Sequence, residues 1–179
     1  MNKELIKFID SDSEFQEIIK ELITDSTVLK MKNFKQHYNT SCYDHCYVVS
    51  YYCYVISKKY KLDYISAARA GMLHDLFLYD WRKKVPDQKG LHAFTHGKLA
   101  CENASKLFDL NIKEQNMIKE HMWPITFKLP SSIESYILTF VDKYCALSES
   151  FDVLKTFLFK KKFFRFAYGY FSLFTLNFC

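Results

Sequence analysis

Six side chains of the kind that bind transition metals recur at wide intervals along this chain: His45, His74, Asp75, His96, His121 and Asp142. The central pair lies in GMLHDLFLYD, where Met72, Leu73, Leu76, Phe77 and Leu78 belong in a core. A buried carboxylate beside a buried imidazole is costly unless something pairs with both. Asp142 has a similar setting, ILTFVDKYCAL, next to Phe140 and Val141. A lone core histidine needs only a hydrogen bond, and a lone helical aspartate beside a lysine needs only water or a salt bridge. Six such groups call for a shared partner, and a divalent cation would offset the burial of both acids while ordering the imidazoles.

The elements that must position these groups read as helices. Ser13 to Lys30 carries Phe15, Ile18, Ile19, Leu22 and Ile23 at helical spacing. Ser41-x-x-Asp44 opens a helix whose inner face runs through His45, Val48, Val49, Tyr52, Val55 and Ile56. Asp63 opens the next, which ends at the His-Asp pair. WRKKVPDQKGLHAF, residues 81–94, reads as a loop, after which Thr95 caps a helix from His96 to about Phe108. Asn111-x-x-Glu114 caps another that stops at Pro124, and Ser131-x-x-Glu134 a long one through Ile137, Leu138, Val141 and Ala146. No segment alternates convincingly as a strand. The expectation is an all-α bundle in which five consecutive helices each offer a ligand, the second offering two.

Composition sets the outer bounds. The chain of 179 residues is 49% hydrophobic and 18% aromatic with 4 Gly and 3 Pro, which excludes a disordered chain and disfavours an all-β fold. The six cysteines form no Cys-x-x-Cys pair and most sit in amphipathic runs, so a reduced, cytoplasmic protein is expected. MNKELIKFIDSDSEF interleaves charge with apolar residues, unlike a secretory signal. Of the net charge of +5, residues 151–179 hold +4, leaving only +1 elsewhere. That is too little for a nucleic-acid binder. The same tail, rich in Phe, Tyr and Leu, is too short an apolar stretch for a stable membrane span. It suits packing or a homo-oligomer contact, with an interfacial membrane anchor as the second choice. The organisation read from these features is an N-terminal helical extension over 1–34, one domain over 35–150, and the tail.

The pattern His45, His74-Asp75, Asp142, together with AARAGMLHDLF and FVDKYCAL around its ends, resembles the HD-domain superfamily of metal-dependent phosphohydrolases over roughly residues 35–150. His96 in FTHGKLA and His121 in IKEHMWP match the two further histidines of its binuclear members, such as the HD-GYP cyclic-dinucleotide phosphodiesterases, although no Gly-Tyr-Pro follows here. The resemblance implies a metal site among five core helices. Asp75 would be shared by two ions and central to catalysis, with His45, His74 and Asp142 completing one shell and His96 and His121 the other. It implies hydrolysis of a phosphomonoester or phosphodiester of a nucleotide or similar small metabolite, by water activated between two cations. The imidazole-rich set suits Fe, Mn, Zn or Ni. Lys143, Arg69 and the Arg82-Lys83-Lys84 cluster are candidates to hold phosphate, and His37 and His92 to bind substrate or act as general acid. Two other readings share the ligand set: a mixed-valent di-iron oxygenase of the same fold, and a non-catalytic metal-binding regulatory module.

Overall fold

The computed structural model describes residues 3–37, 40–81 and 92–159, with the backbone alone at 37 and 151–159. The described chain is mostly helical. It runs through α1 (Lys3–Asp10), α2 (Ser13–Thr24), α3 (Ser26–Leu29), a 3₁₀ turn (Lys30–Asn33), β1 (Lys35–His37), β2 (Thr40–Ser41), α4 (Cys42–Lys59), α5 (Tyr64–Leu73), α6 (His92–Leu107), α7 (Ile112–Glu120) and α8 (Ile133–Phe159). Strands β1 and β2 form a small antiparallel ribbon, too short to show alternation in the sequence. The all-α reading holds, and the metal-ligand residues gather among α4–α8 as in an HD-type helical bundle.

Local chemistry explains most helix starts. Ser41 accepts a hydrogen bond from Asp44 N (3.1 Å), and Asp63 accepts one from Ser66 N (3.0 Å). Asn111 and Glu114 form a reciprocal capping box. Three starts differ from expectation. The apolar run over 13–30 is broken at Asp25, whose carboxylate caps α3 by accepting from Thr27 N and Val28 N. Helix α6 begins at His92 rather than at Thr95, which lies in its first turn. At α8 the cap is Ser132, which accepts from Ser135 N (3.1 Å), because Ser131 donates instead to buried Glu120 through its N (2.8 Å) and Oγ (2.9 Å).

The core joins both ends of the described chain. Ile9, Phe15, Ile19 and Leu22 of α1 and α2 are fully buried in the same cluster as Val49, Leu73, Met117 and Leu138, so residues before 35 belong to this core. Helix α8 passes residue 150 without a break and runs to Phe159. Residues 160–179 and the Arg82-Lys83-Lys84 cluster lie outside the described residues.

Two glycines set the helix crossings nearest the candidate ligands. A Cβ on Gly71 would lie 2.7 Å from Ser50 Cα, so only glycine lets α5 press against α4 one turn before His74. A Cβ on Gly97 would lie 3.0 Å from Ile118 O and 3.4 Å from His121 Cε1. Gly97 thereby brings α6 against α7 beside His96 and His121.

Candidate metal centre

Helices α4 to α8 deliver all six predicted groups to one buried region. His45 is on the inner face of α4 and Asp142 on that of α8, and His45 Nε2 lies 3.1 Å from Asp142 Oδ1. His74 is the C-cap of α5, with its Nε2 3.5 Å from Asp75 Oδ2 and 3.6 Å from Asp142 Oδ1. On the other side of Asp75, His96 Nε2 lies 3.3 Å and His121 Nε2 3.6 Å from Oδ1, and the two Nε2 atoms are 2.9 Å apart. Asp75 therefore faces two lobes, one oxygen toward each.

The orientation of three imidazoles is fixed behind them. His74 Nδ1 meets Gly71 O, His96 Nδ1 meets His92 O, and His121 Nδ1 meets Ile118 O, each at 2.8 Å. A carbonyl only accepts, so each Nδ1 carries a proton and each Nε2 is the ring atom turned inward. His96 and His121 thus turn their Nε2 atoms toward one another across 2.9 Å, a contact that one shared proton or a cation can satisfy. His74 Nε2 and Asp75 Oδ1 are buried without a hydrogen-bond partner. Ligands about 2.1 Å from one ion lie roughly 3.0–3.4 Å apart in octahedral or tetrahedral geometry, close to the separations found here. The residues fit a binuclear metal site.

His45 is held differently. Both its ring nitrogens face carboxylates, Asp142 at Nε2 and Glu149 at Nδ1 (3.0 Å). Burial works to lower its pKa, but these two partners raise it well above the usual histidine value. His74 shifts the same way, with burial opposed and outweighed by Cys46, Asp75 and Asp142. Burial also works against the charge on Asp142, yet His45 and His74 hold its pKa well below the carboxylate range. In the other lobe, burial, reinforced by His96 and His74, pushes His121 down to about 3.

The residues after His74 are pinned so that Asp75 cannot swing. Cys42 Sγ and Phe77 N donate to Asp75 O, and Asn103 Nδ2 donates to Leu76 O. Gln36 of β1 donates from Nε2 to Asp75 Oδ2. Glu120, which also pairs with Lys128 (3.0 Å), ties the segment after His121 back through Ser131.

A cleft of about 220 Å³ opens onto this centre, with Asp75, His96, His121 and Asp142 at its floor. His92, Trp81, Met122, Ile125 and Lys143 line the rest. Lys143 Nζ donates to His121 O (3.0 Å) at the edge of the site. His92 stacks on His96 (ring centroids 4.5 Å apart) and meets Tyr79 Oη through Nδ1 at 2.8 Å. Burial, helped by His96, pushes His92 down to about 4, so it is neutral near pH 7. The structure does not bring Arg69 here. Its guanidinium pairs with Glu114 (2.8 Å) and Glu21 (3.3 Å) and donates to Asp109 O, joining α2, α5 and α7. The His37 side chain lies outside the described residues.

Sequence reading missed Glu149 and Gln36. Glu149 had a usable signal, since it lies seven residues after Asp142 and so shares its helical face. Gln36 had none. Set against protein-family models, curated proteins and solved structures, the chain finds no match.

Proposed function

We propose that this protein is a metal-dependent phosphohydrolase that cleaves a small phosphate ester at the centre between α4 and α8. The observation that carries the reading is Asp75, which offers one buried oxygen to each of two ligand lobes at the floor of an open cleft. Two divalent ions held there, by His45, His74, Asp75 and Asp142 and by Asp75, His96 and His121, would supply Lewis acidity and a low-pKa water nucleophile.

The chain's own residues do the rest. The backbone carbonyls of Gly71, His92 and Ile118 keep three imidazoles in the ligating tautomer. Gln36 fixes the rotation of the Asp75 carboxylate. Lys143, the basic side chain at the cleft among the described residues, supplies positive charge for the substrate's phosphate. Neutral His92 lines the mouth, where it can hydrogen-bond the substrate. Apolar Trp81, Met122 and Ile125 limit water and give the organic part of a small ester something to pack on.

The test is a screen of phosphomonoesters and phosphodiesters with protein loaded separately with Mn, Fe, Zn or Ni, reading phosphate or alcohol release. Turnover that disappears in Asp75→Asn supports the reading. Iron-dependent oxygen consumption without phosphate release replaces it by an oxygenase.

A further inference from the structure

The run after the His-Asp pair carries Tyr79 and Trp81, which the metal centre itself does not use. Phe77 N donates to Asp75 O and Asn103 Nδ2 to Leu76 O, and the pinned segment lays both rings against His92 in the first turn of α6. Four rings hold the His92 imidazole. It lies parallel to His96 (centroids 4.5 Å apart, 16°) and to Trp81 (5.7 Å, 15°), and nearly perpendicular to Phe77 (83°) and Tyr79 (88°). Its plane is thus fixed, and its two nitrogens differ in what they meet. Nδ1 meets Tyr79 Oη at 2.8 Å. Nε2 has no hydrogen-bond partner among the described residues, yet it is not shut away from solvent, and the ring lines the cleft.

The Tyr79 contact decides which nitrogen carries the proton. A phenol, with a pKa of about 10, is a better donor than the N–H of neutral imidazole, and an imidazole nitrogen is the better acceptor. Tyr79 Oη therefore donates to Nδ1, which leaves the His92 proton on Nε2. From this geometry we propose that Tyr79 is a positioning residue: it locks His92 as an Nε2–H donor for a phosphate oxygen of the ligand in the cleft. The inference rests on the phosphohydrolase reading for the identity of that ligand, and it sets a second donor beside Lys143. An ionised phosphate brings only acceptors, so the opposite tautomer would turn a lone pair toward it. Tyr79 excludes that state. His92 keeps its proton throughout; it binds phosphate and transfers nothing.

Nitrogen NMR of isotope-labelled histidines in the full chain, with and without Zn, reads the tautomer directly. His92, assigned by the loss of its signals in His92→Gln, should show a protonated Nε2 and a bare Nδ1. Tyr79→Phe should move the Nδ1 signal toward that of a nitrogen without a hydrogen bond. Calorimetry with inorganic phosphate on the Mn-loaded protein reads the consequence. His92→Ala should weaken phosphate binding by about 10- to 100-fold, and Tyr79→Phe by about 3- to 10-fold. In the His92→Gln background, where an amide N–H donates without any choice of tautomer, Tyr79→Phe should cost nothing further. A proton on Nδ1, protons on both nitrogens, or unchanged phosphate affinity in His92→Ala overturns the inference. So does an equal loss from Tyr79→Phe in the wild-type and His92→Gln backgrounds, which would make Tyr79 structural. The tautomer is read on the unaltered chain, so that result stands even if a variant fails to fold. Binding needs no turnover. Phosphate held through His92 without release from any ester keeps this inference and removes the hydrolase reading. Ester hydrolysis untouched by His92→Ala and Tyr79→Phe does the reverse.

Discussion

The two lobes around Asp75 are built from the same residue types yet are held in opposite electrostatic states. On one side, His45 and His74 face the carboxylates of Asp142, Glu149 and Asp75, which favour their protonated forms despite burial. On the other, His96 and His121 face one another, and His121 resists a proton down to about 3. Protons can substitute for a cation in the first lobe, whereas in the second the two Nε2 atoms share a single contact beside one oxygen of Asp75 and His121 stays without a proton. The first lobe is therefore partly satisfied by the protein alone, and the second gains most from an ion. Every variant below tests that asymmetry.

The residue common to both lobes should show the largest effect. Asp75→Asn removes the charge that both lobes use, so metal affinity and turnover should each fall by more than about 100-fold. Stability should respond differently. With chelator present, an amide at this position can donate to the unprotonated Nε2 of His121, so the melting temperature should hold or rise. With Mn, the wild type should gain stability by binding linkage that the variant lacks. Thermal unfolding of both proteins in both conditions checks this. An equal loss in both conditions would make Asp75 a structural residue and dissolve the comparison.

Removing one histidine from each lobe comes next. His45→Ala takes the shared imidazole from Glu149 and leaves Asp142 with His74 alone, a break of a largely buried charge pair of the class that costs about 3–5 kcal/mol. His121→Ala removes one side of the 2.9 Å contact with His96 and should cost only about 1 kcal/mol. Its main effect should be on stoichiometry, lowering bound metal from two ions toward one while the first lobe still fills. Denaturant unfolding and elemental analysis of both variants separate the two outcomes.

The same contrast shows what could be read from residue order and what could not. His74, Asp75 and Asp142 are conspicuous because charged or titratable groups interrupt apolar runs, a signal contained within ten residues. The bundle itself was legible for a similar reason, since Ser41, Asp63 and Asn111 stand as caps before periodic apolar stretches. The groups that orient the ligands carry no such mark. The carbonyls of Gly71, His92 and Ile118 are backbone, present at every position, and become partners only through where a helix begins and ends. Thr95 was the natural cap by residue type, but the bond from His96 Nδ1 to His92 O requires a helical turn that starts at His92. Arg69 sits in AARAG, one helical turn before the His-Asp pair, and nothing local distinguishes a phosphate-binding arginine from one that braces helices. Its partners Glu21, Glu114 and Asp109 come from distant segments.

Glu149→Gln is a gentler probe of the first lobe. It keeps a side chain of the same shape near His45 Nδ1 and removes the charge that strengthens the imidazole as a donor to metal. Affinity for the ion in this lobe should fall by about 10- to 100-fold, with the ion beside His96 and His121 retained. Two-phase metal titration distinguishes this from a uniform loss, which would mean that the lobes do not act separately.

The smallest effect, and the one most specific to the asymmetry, is the pH dependence of the metal-free protein. His121 has a folded pKa near 3, below its ordinary value of about 6.5. Above pH 6.5 neither folded nor unfolded His121 carries a proton, so it makes no difference to stability. As pH falls from about 6.5 toward 3, the unfolded chain takes up a proton that the folded one refuses, and stability drops by up to about 1.4 kcal/mol per pH unit. His45 and His74 tilt the curve the other way. Their folded pKa values are raised, so their contribution is fully present below about pH 6.5 and is lost as pH rises through those raised values. With chelator, the wild type should thus be most stable near pH 6.5. His121→Ala should flatten the limb between pH 4.5 and 6.5, in units of about 1 kcal/mol, and leave the alkaline limb alone. His45→Ala should flatten the alkaline limb and leave the limb between pH 4.5 and 6.5 in place, because the lowered Asp142 carboxyl acts on stability only below about pH 4. Melting curves across pH 4.5 to 9 read both limbs in one experiment. If His121→Ala and His45→Ala change the same limb, the two lobes share one electrostatic state and differ only in which helices supply them.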